Sequence, residues 1–344
     1  MATRIIATEV DFANSNNVVY KKFFSYKELP GKIEKTPCRK EKPPYNSFSF
    51  SVGEHRPSIE KLKLLKCETL IKLFGLKNPE LFKKKYNQVI DGDGQEWKRI
   101  TVLHSSSLAA LLFFYAIDEY PLELTLEDKS YTFYNSYFEV KTVVCGSHKS
   151  NMDVVLEGKN KNGKKVLLFL ECKFSEYLKS GKYTGISCDV YSKKYEELGL
   201  FKPSTLTPIY ATKPTDKNVL ELVSSEGYHY CGGIKQMISH YMGVSNYAEK
   251  GEEALEENSP LKGKTADEIL LGEILFQFDP EVDKNGRCDI YAEDYKKLAE
   301  RINENNNENP NFRMLKDVLF YQNLGLKYLH NLEEKVKLFY KLPK

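Results

Sequence analysis

The sequence predicts an α/β fold whose core runs helix, three-strand meander, helix, strand, with elaborations at both ends. Three observations carry that reading. A helix-like segment at 105–117 is apolar nearly all round, so it belongs in a core. From about residue 131 three segments in succession take the period of strands, 131–144, 152–158 and 164–174. Helical spacing then returns at 189–199 and 232–243, before further strand-like runs at 268–278 and near 316–321.

Taken in chain order, the first 50 residues mix polar stretches with a Lys/Pro-rich run at 32–45, which predicts a surface segment or arm. Residues 57–75 set Ile59, Leu62, Leu65, Leu70 and Leu73 at helical spacing and stop at Gly75. Gly92 and Gly94 mark a loop. Ser105 to Ser107 offer hydroxyl caps for the apolar helix that follows. A polar helix at 291–303 dissolves into an Asn/Glu-rich loop. The chain divides into an N-terminal elaboration at 1–100, a core at 101–280 and a C-terminal elaboration at 281–344.

Composition narrows the class. With 344 residues, 41% hydrophobic and 12% aromatic, the chain can fold without metal or disulfide staples. Its seven cysteines are odd in number and never spaced Cys-x-x-Cys, which fits reduced thiols in a cytoplasmic compartment rather than a disulfide framework or zinc cluster. No apolar run reaches the roughly 18 residues of a membrane span, and no signal peptide is expected. Basic and acidic residues nearly balance, 51 against 48, so any nucleic-acid surface must come from local clustering. Phosphate-binding loops, a dinucleotide fingerprint and Gly-x-Ser-x-Gly are absent, and Asp91-Gly92-Asp93-Gly94 lacks the Glu of a calcium loop.

The chemistry concentrates in 151–174. Two strands flank Lys161-Asn162-Gly163, a hairpin signal. With Gly163 left-handed after a type I turn, Asn160 faces Lys164, and Asp153 falls opposite Glu171 on one face. Lys173 shares that face by the strand period. A two-residue Asn-Gly turn would pair Asp153 with Cys172 and separate the carboxylates, so the site depends on the register. Leu167, Phe169 and Glu171 alternate with Leu168, Leu170 and Cys172, which makes 165–173 a strand covered on both faces. Carboxylates at its end are costly to desolvate unless paired or bound to a cation. Two acids and the Cys172 carbonyl form a hard oxygen set suited to Mg²⁺. An ordinary buried Asp–Lys–Glu ion network is the structural alternative.

Asp153, a hairpin, then Glu171-Cys172-Lys173 resembles the signature of the PD-(D/E)XK nuclease superfamily, in its restriction-endonuclease-like branch, with Met152 in place of the usual Pro. The helix at 104–117 also resembles the one before the first core strand of such proteins, and the likeness covers roughly 104–243. It implies a restriction-endonuclease-like core in which Asp153, Glu171 and the Cys172 carbonyl hold Mg²⁺, with Mn²⁺ as a substitute. Lys173 would serve the attacking water and Glu139 would add an acid. Gln236 is half of a Gln–Tyr pair known from some members, with His240 at the spacing of the Tyr and Tyr241 one later. Ile234, Met237, Ile238 and Tyr241 form the packed face of that helix, which leaves Gln236 and His240 opposite and His240 as a surface or satisfied histidine. Glu176 is either a partner of Lys173 or exposed.

The implied activity is Mg²⁺-dependent hydrolysis of double-stranded DNA by a type II-like restriction enzyme, as a homodimer and with a cognate DNA methyltransferase encoded nearby. A repair or structure-specific nuclease of the same fold, and a catalytically silent DNA-binding module, are the alternatives. Residues 159–165, Arg39, Lys40, Lys42, Lys182 and Tyr183 are candidates for phosphate contacts, each with a bland reading as solvated or packing residues.

Overall fold

In a computed structural model of the chain, the described residues are 5–35, 47–53, 58–91, 96–178, 186–187, 210–214, 219–224, 233–305 and 309–342. Arg39, Lys40, Lys42, Lys182, Tyr183, Gly92, Asp93, Gly94 and the predicted helix at 189–199 lie outside them.

Helix α1 spans Ile59–Phe74, opened by the Ser58 hydroxyl on Lys61 N at 3.3 Å and closed by Gly75 at φ 64°. Its buried residues are Lys66, Cys67, Leu70 and Phe74; of the expected stripe Leu70 is buried, Leu62, Leu65 and Leu73 are half-buried, and Ile59 is 57% exposed. Helix α2, Pro79–Ile90, was not predicted, although Asn78 caps Leu81 N at 2.9 Å and Pro79 occupies the first turn. Helix α3, Ser106–Phe114, is capped by Ser105 and buried from Ser107 onward.

Four strands follow as antiparallel hairpins: β1 (Leu122–Leu126), β2 (Lys129–Cys145), β3 (His148–Asn160) and β4 (Lys165–Lys173). Helix α4 (Gly233–Lys250) lies in the crossover to β5 (Glu268–Leu275), which pairs parallel with β4. Helix α5 (Arg287–Asn305) then leads to β6 (Phe312–Met314) and β7 (Leu319–Phe320), both parallel to β5. The sheet order is β6–β5–β4–β3–β2–β1, with β7 also on β5.

Strand β4 is buried from Val166 to Lys173, as its two-faced apolar pattern requires. Helix α3 packs on one face, where Tyr321 sets its ring 4.5 Å from that of Phe113. Helix α4 covers the other, with the rings of Phe169 and Tyr247 5.8 Å apart. Asn246 Nδ2 donates to the carbonyls of Val143 and Val144, both at 2.8 Å, and pins α4 to β2.

The N-terminal stretch is not a surface arm where it is described. Ala7, Phe12, Val19, Tyr20, Phe23, Phe24, Ile33, Phe48 and Phe50 are buried in the same apolar core as residues of the sheet and of the C-terminal segment. The polar reading of 1–50 missed these aromatics because they recur without helix or strand period.

Helix α4 approaches the sheet so closely at Gly243 that a Cβ there would overlap the Thr142 hydroxyl and press on Ser150. Gly243→Ala is expected to destabilise the fold by about 1–3 kcal/mol, read as a lower urea midpoint with an unchanged slope. A variant as stable as wild type would show that α4 does not sit this close.

Candidate active site

The β3–β4 turn sets the site. Gly163 takes φ 76°, Gly163 N donates to the Asn160 carbonyl at 2.9 Å, and the Asn160 side chain accepts from the backbone N–H groups of Asn162 and Lys164. The ladder runs from Lys159↔Lys165 to Val154↔Leu170, the register of the three-residue loop, and the two-residue alternative is excluded. One step further, at Asp153 and Glu171, the ladder ends. There the Asp153 carboxylate accepts from Cys172 N at 2.7 Å, so the aspartate occupies the junction where the strands part.

Glu139 lies on β2 between the pairs Phe138↔Val154 and Val140↔Met152, the position across from Asp153. It takes φ 52°, a left-handed conformation that costs a non-glycine residue on the order of 1–3 kcal/mol. Its carboxylate is 9% exposed and accepts from the Asn151 amide. The same residue lines a cleft of about 540 Å³ with Lys84, Gln88, Lys141 and Glu256.

Glu171 and Lys173 both turn toward α4 and are nearly enclosed, 3% and 6% exposed. One Glu171 oxygen meets the Lys173 ammonium, and the other lies 2.9 Å from His240 Nε2. Lys173 Nζ also donates to Gln236 Oε1 at 2.8 Å. His240 Nδ1 meets the Ser150 hydroxyl, so with a hydrogen on Nε2 toward Glu171 the ring accepts from Ser150. Gln236 and His240, one helical turn apart, are therefore the face of α4 that grips the site. Met237, Ile238 and Tyr241 are buried as the packed face, and His240 is the satisfied rather than the surface histidine of the two alternatives, buried with partners on both ring nitrogens.

Two further acids complete the picture. Glu176 is neither exposed nor bonded to Lys173; it folds back to accept from Phe174 N and Ser175 N at 2.8 and 2.9 Å, closing the turn after β4. Glu273, on β5 in register with Glu171, was not anticipated. It is fully buried, and among the described residues neither carboxylate oxygen has a hydrogen-bond partner in full geometry, although the Tyr291 side chain lies close enough to favour its charged form. Cys172 presents its thiol to the opposite face, beside Tyr321, where burial pushes its pKa up. The described cysteines, Cys67, Cys145, Cys172 and Cys288, are free thiols.

The charges are strongly coupled. Burial pushes the Asp153 carboxyl well above its ordinary range, and the charges of Glu171 and Glu139 push the same way. Burial also works against ionised Glu171, but Lys173 and His240 outweigh it and bring that carboxyl to about 2. Lys173 would lose its charge to burial alone; Glu171, Glu273, Glu176 and Asp153 instead hold it above the ordinary lysine range. Glu273 is lifted by burial to about 8, against the pull of Lys173.

Among the described residues no group of three His, Cys, Asp or Glu side chains forms a ready metal cage. The donor chemistry nonetheless fits a hard divalent cation. Glu139, Asp153 and Glu171 are near enough for their charges to oppose one another, and the second Asp153 oxygen has no hydrogen bond among the described residues. Glu171 already holds Lys173 and His240, so a cation on it would sit beside one of them. At the far end of the β3–β4 hairpin, Lys161 and Lys164 border a separate cavity of about 500 Å³ with Asp128, Asp267 and Glu268, so that tip is mixed in charge rather than cationic.

Comparison with protein-family models, with curated proteins and with solved structures finds no match to this chain. Among the described residues, no helix is long and apolar enough to cross a membrane.

The Glu273 carboxyl moves from about 4.5 unfolded to about 8 folded. The native state therefore holds this proton more tightly, and the associated stability is present below pH 4.5 and lost as pH rises toward 8, at about 1.4 kcal/mol per pH unit of that window as an upper bound. Glu273→Gln is expected to melt with wild type near pH 5 and above it by pH 9. Parallel melting curves across that range would show that Glu273 is already ionised.

Proposed function

We propose that this chain is a metal-dependent nuclease, a Mg²⁺-dependent DNA endonuclease of the restriction type, built on a PD-(D/E)XK-like core. The observation that carries the proposal is the hairpin register, which brings Asp153 to the Glu171 end of β4 with Lys173 on the same face. The resemblance of 153–173 to the superfamily signature supports it, as does the acid on β2 beside Asp153.

Asp153 is the primary ligand in this reading, because its charge is opposed by two neighbouring carboxylates and a cation would relieve that opposition. Glu171, Glu139 and the Cys172 carbonyl supply further oxygens. A bound Mg²⁺ supplies Lewis-acid stabilisation of charge on the phosphate. Lys173 stays charged in this environment, so it acts as a hydrogen-bond donor and a positive charge toward the attacking water or a phosphate oxygen, not as a base. Gln236 fixes its ammonium, and His240, steadied by Ser150, fixes Glu171.

A repair nuclease of the same fold is the second reading, favoured by the Gln236–Lys173 hydrogen bond. The other half of that echo is imperfect, because His240 stands at the spacing of the Tyr and binds Glu171, while Tyr241, one residue later, stacks on Phe312 with ring centroids 5.6 Å apart. Cleavage of unmodified duplex at one short sequence, and a DNA methyltransferase gene next door, mark restriction. Cutting that depends on ends or branched structure marks repair.

Supercoiled plasmid should be nicked with Mg²⁺ or Mn²⁺ and spared in EDTA. Asp153→Ala should abolish cutting, and Lys173→Ala should slow it on the order of 10²–10³-fold. Equal nicking by wild type and both variants would reject the site.

A binding readout is independent of turnover. Asp153→Asn, which keeps an acceptor for Cys172 N, should melt above wild type in EDTA because the carboxylate repulsion is gone. It should also lose the upward shift that Mg²⁺ gives wild type. An unchanged Mg²⁺ shift would remove Asp153 from the ligand set.

A further inference from the structure

We infer that Glu273 is a positioning residue that takes over the Lys173 ammonium when Glu171 turns to another partner. The nuclease reading enters only in naming a divalent cation as that partner.

Glu273 is a buried acid that the described contacts do not explain. Among the described residues neither of its oxygens meets a hydrogen-bond donor in full hydrogen-bond geometry, although Tyr291 lies close, and it is fully buried, a condition that native proteins seldom leave without a reason. It stands directly beside Glu171 in the parallel β4–β5 ladder, and residues in register on neighbouring strands share a face. Asp153 flanks Glu171 on the β3 side and Glu273 flanks it on the β5 side. Lys173 lies two residues along from Glu171 on the strand between them.

Glu171 has Lys173 on one oxygen and His240 on the other. A cation that binds the oxygen facing Lys173 repels the ammonium beside it. If Lys173 leaves, its ammonium is enclosed with the neutral Gln236 amide. A buried ammonium without a counter-ion is a state that folded proteins avoid. Apart from Glu171, no carboxylate acts on Lys173 more strongly than Glu273. Moving the ammonium toward β5 would free the Glu171 oxygen it now holds while the positive charge stays enclosed. Glu273 thus lets one buried carboxylate change partners without stranding its lysine.

A double-mutant cycle in EDTA at neutral pH tests this without any metal. Glu171→Gln keeps an amide for His240 but removes the charge on which Lys173 rests, so the ammonium must turn to Glu273. Glu273→Gln should be harmless or stabilising in the wild-type background. Added to Glu171→Gln, it should lower the folding equilibrium constant by at least about tenfold, and Lys173→Met should abolish this coupling. Equal effects of Glu273→Gln in both backgrounds, as a packing role would give, overturn the inference. A double variant that cannot fold when each single variant does counts as the coupled loss.

A Mg²⁺ titration of the full chain separates the two proposals. The midpoint of the melting shift should move to at least about tenfold higher Mg²⁺ in Glu273→Gln. A coupled cycle with no Mg²⁺ response in wild type defeats the nuclease reading and leaves the role of Glu273 standing. An additive cycle, or equal Mg²⁺ midpoints in a wild type that does respond, defeats the role of Glu273.

Discussion

The fold is organised around one electrostatic constraint: a carboxylate and an ammonium, Glu171 and Lys173, sit at the end of a strand covered on both faces. Both are nearly enclosed, and an enclosed ion pair is tolerable only when its remaining hydrogen-bonding capacity is met. The structure meets it from one direction, by laying α4 across the sheet so that Gln236 reaches Lys173 and His240 reaches Glu171. Gly243 and the Asn246 contacts with β2 follow from that, because the helix must come close enough for both side chains to arrive together. Packing, here, serves charge.

The opposite side of the site is governed by turn chemistry. A one-residue slip in an antiparallel pair would carry every side chain of β3 to the other face, so Asp153 depends on a turn seven residues away. Asn160 secures it by bonding two backbone N–H groups across the loop, and Gly163 accepts the left-handed conformation that closes it. Beyond Val154 the strands diverge, and Asp153 uses its side chain where the ladder would have used a carbonyl. On β2 the left-handed Glu139 sits beside this divergence. Its strain is local, and the bond from Asn151 helps to offset it. Departures from regular β structure thus gather around Asp153, where irregular backbone is needed to bring carboxylates together.

What the sequence disclosed follows from which interactions are short-range. Strand period, hairpin chemistry and the apolar helix at 105–117 are local properties, and from them the β3–β4 register and the placement of Asp153, Glu171 and Lys173 could be read. Glu273 was not legible, because its meaning comes from a parallel pairing with a strand about a hundred residues earlier, and nothing near 273 marks it. His240 was visible as the i+4 neighbour of Gln236. Sequence alone left it between a surface and a satisfied histidine, because an amphipathic reading assigns polar residues to solvent, and here the polar face meets buried charge. Glu176 was misjudged for a related reason, since a carboxylate that caps a turn looks in sequence like one in water. The early aromatics, Phe12, Tyr20, Phe23 and Phe24, gave no period to read, though their density was itself a signal of burial.

Those aromatics bear on the site through Phe174, the residue that follows Lys173. Its ring packs against Phe276 and Phe278 at 4.8 and 5.2 Å, against Tyr340 at 5.6 Å, and against Phe23 and Phe24 at 6.1 and 6.3 Å. Contributions from the N-terminal segment, the end of β5 and the C-terminal segment therefore converge one residue beyond the ammonium. Aromatic pairs of this kind each add about 0.5–1.5 kcal/mol beyond simple burial. Together they clamp the end of β4 against sliding along its axis. A lysine side chain is long and flexible, and only a fixed backbone can make its ammonium choose between two carboxylates on neighbouring strands. The terminal segments, remote in sequence from every acid in the site, are what make that choice a defined one.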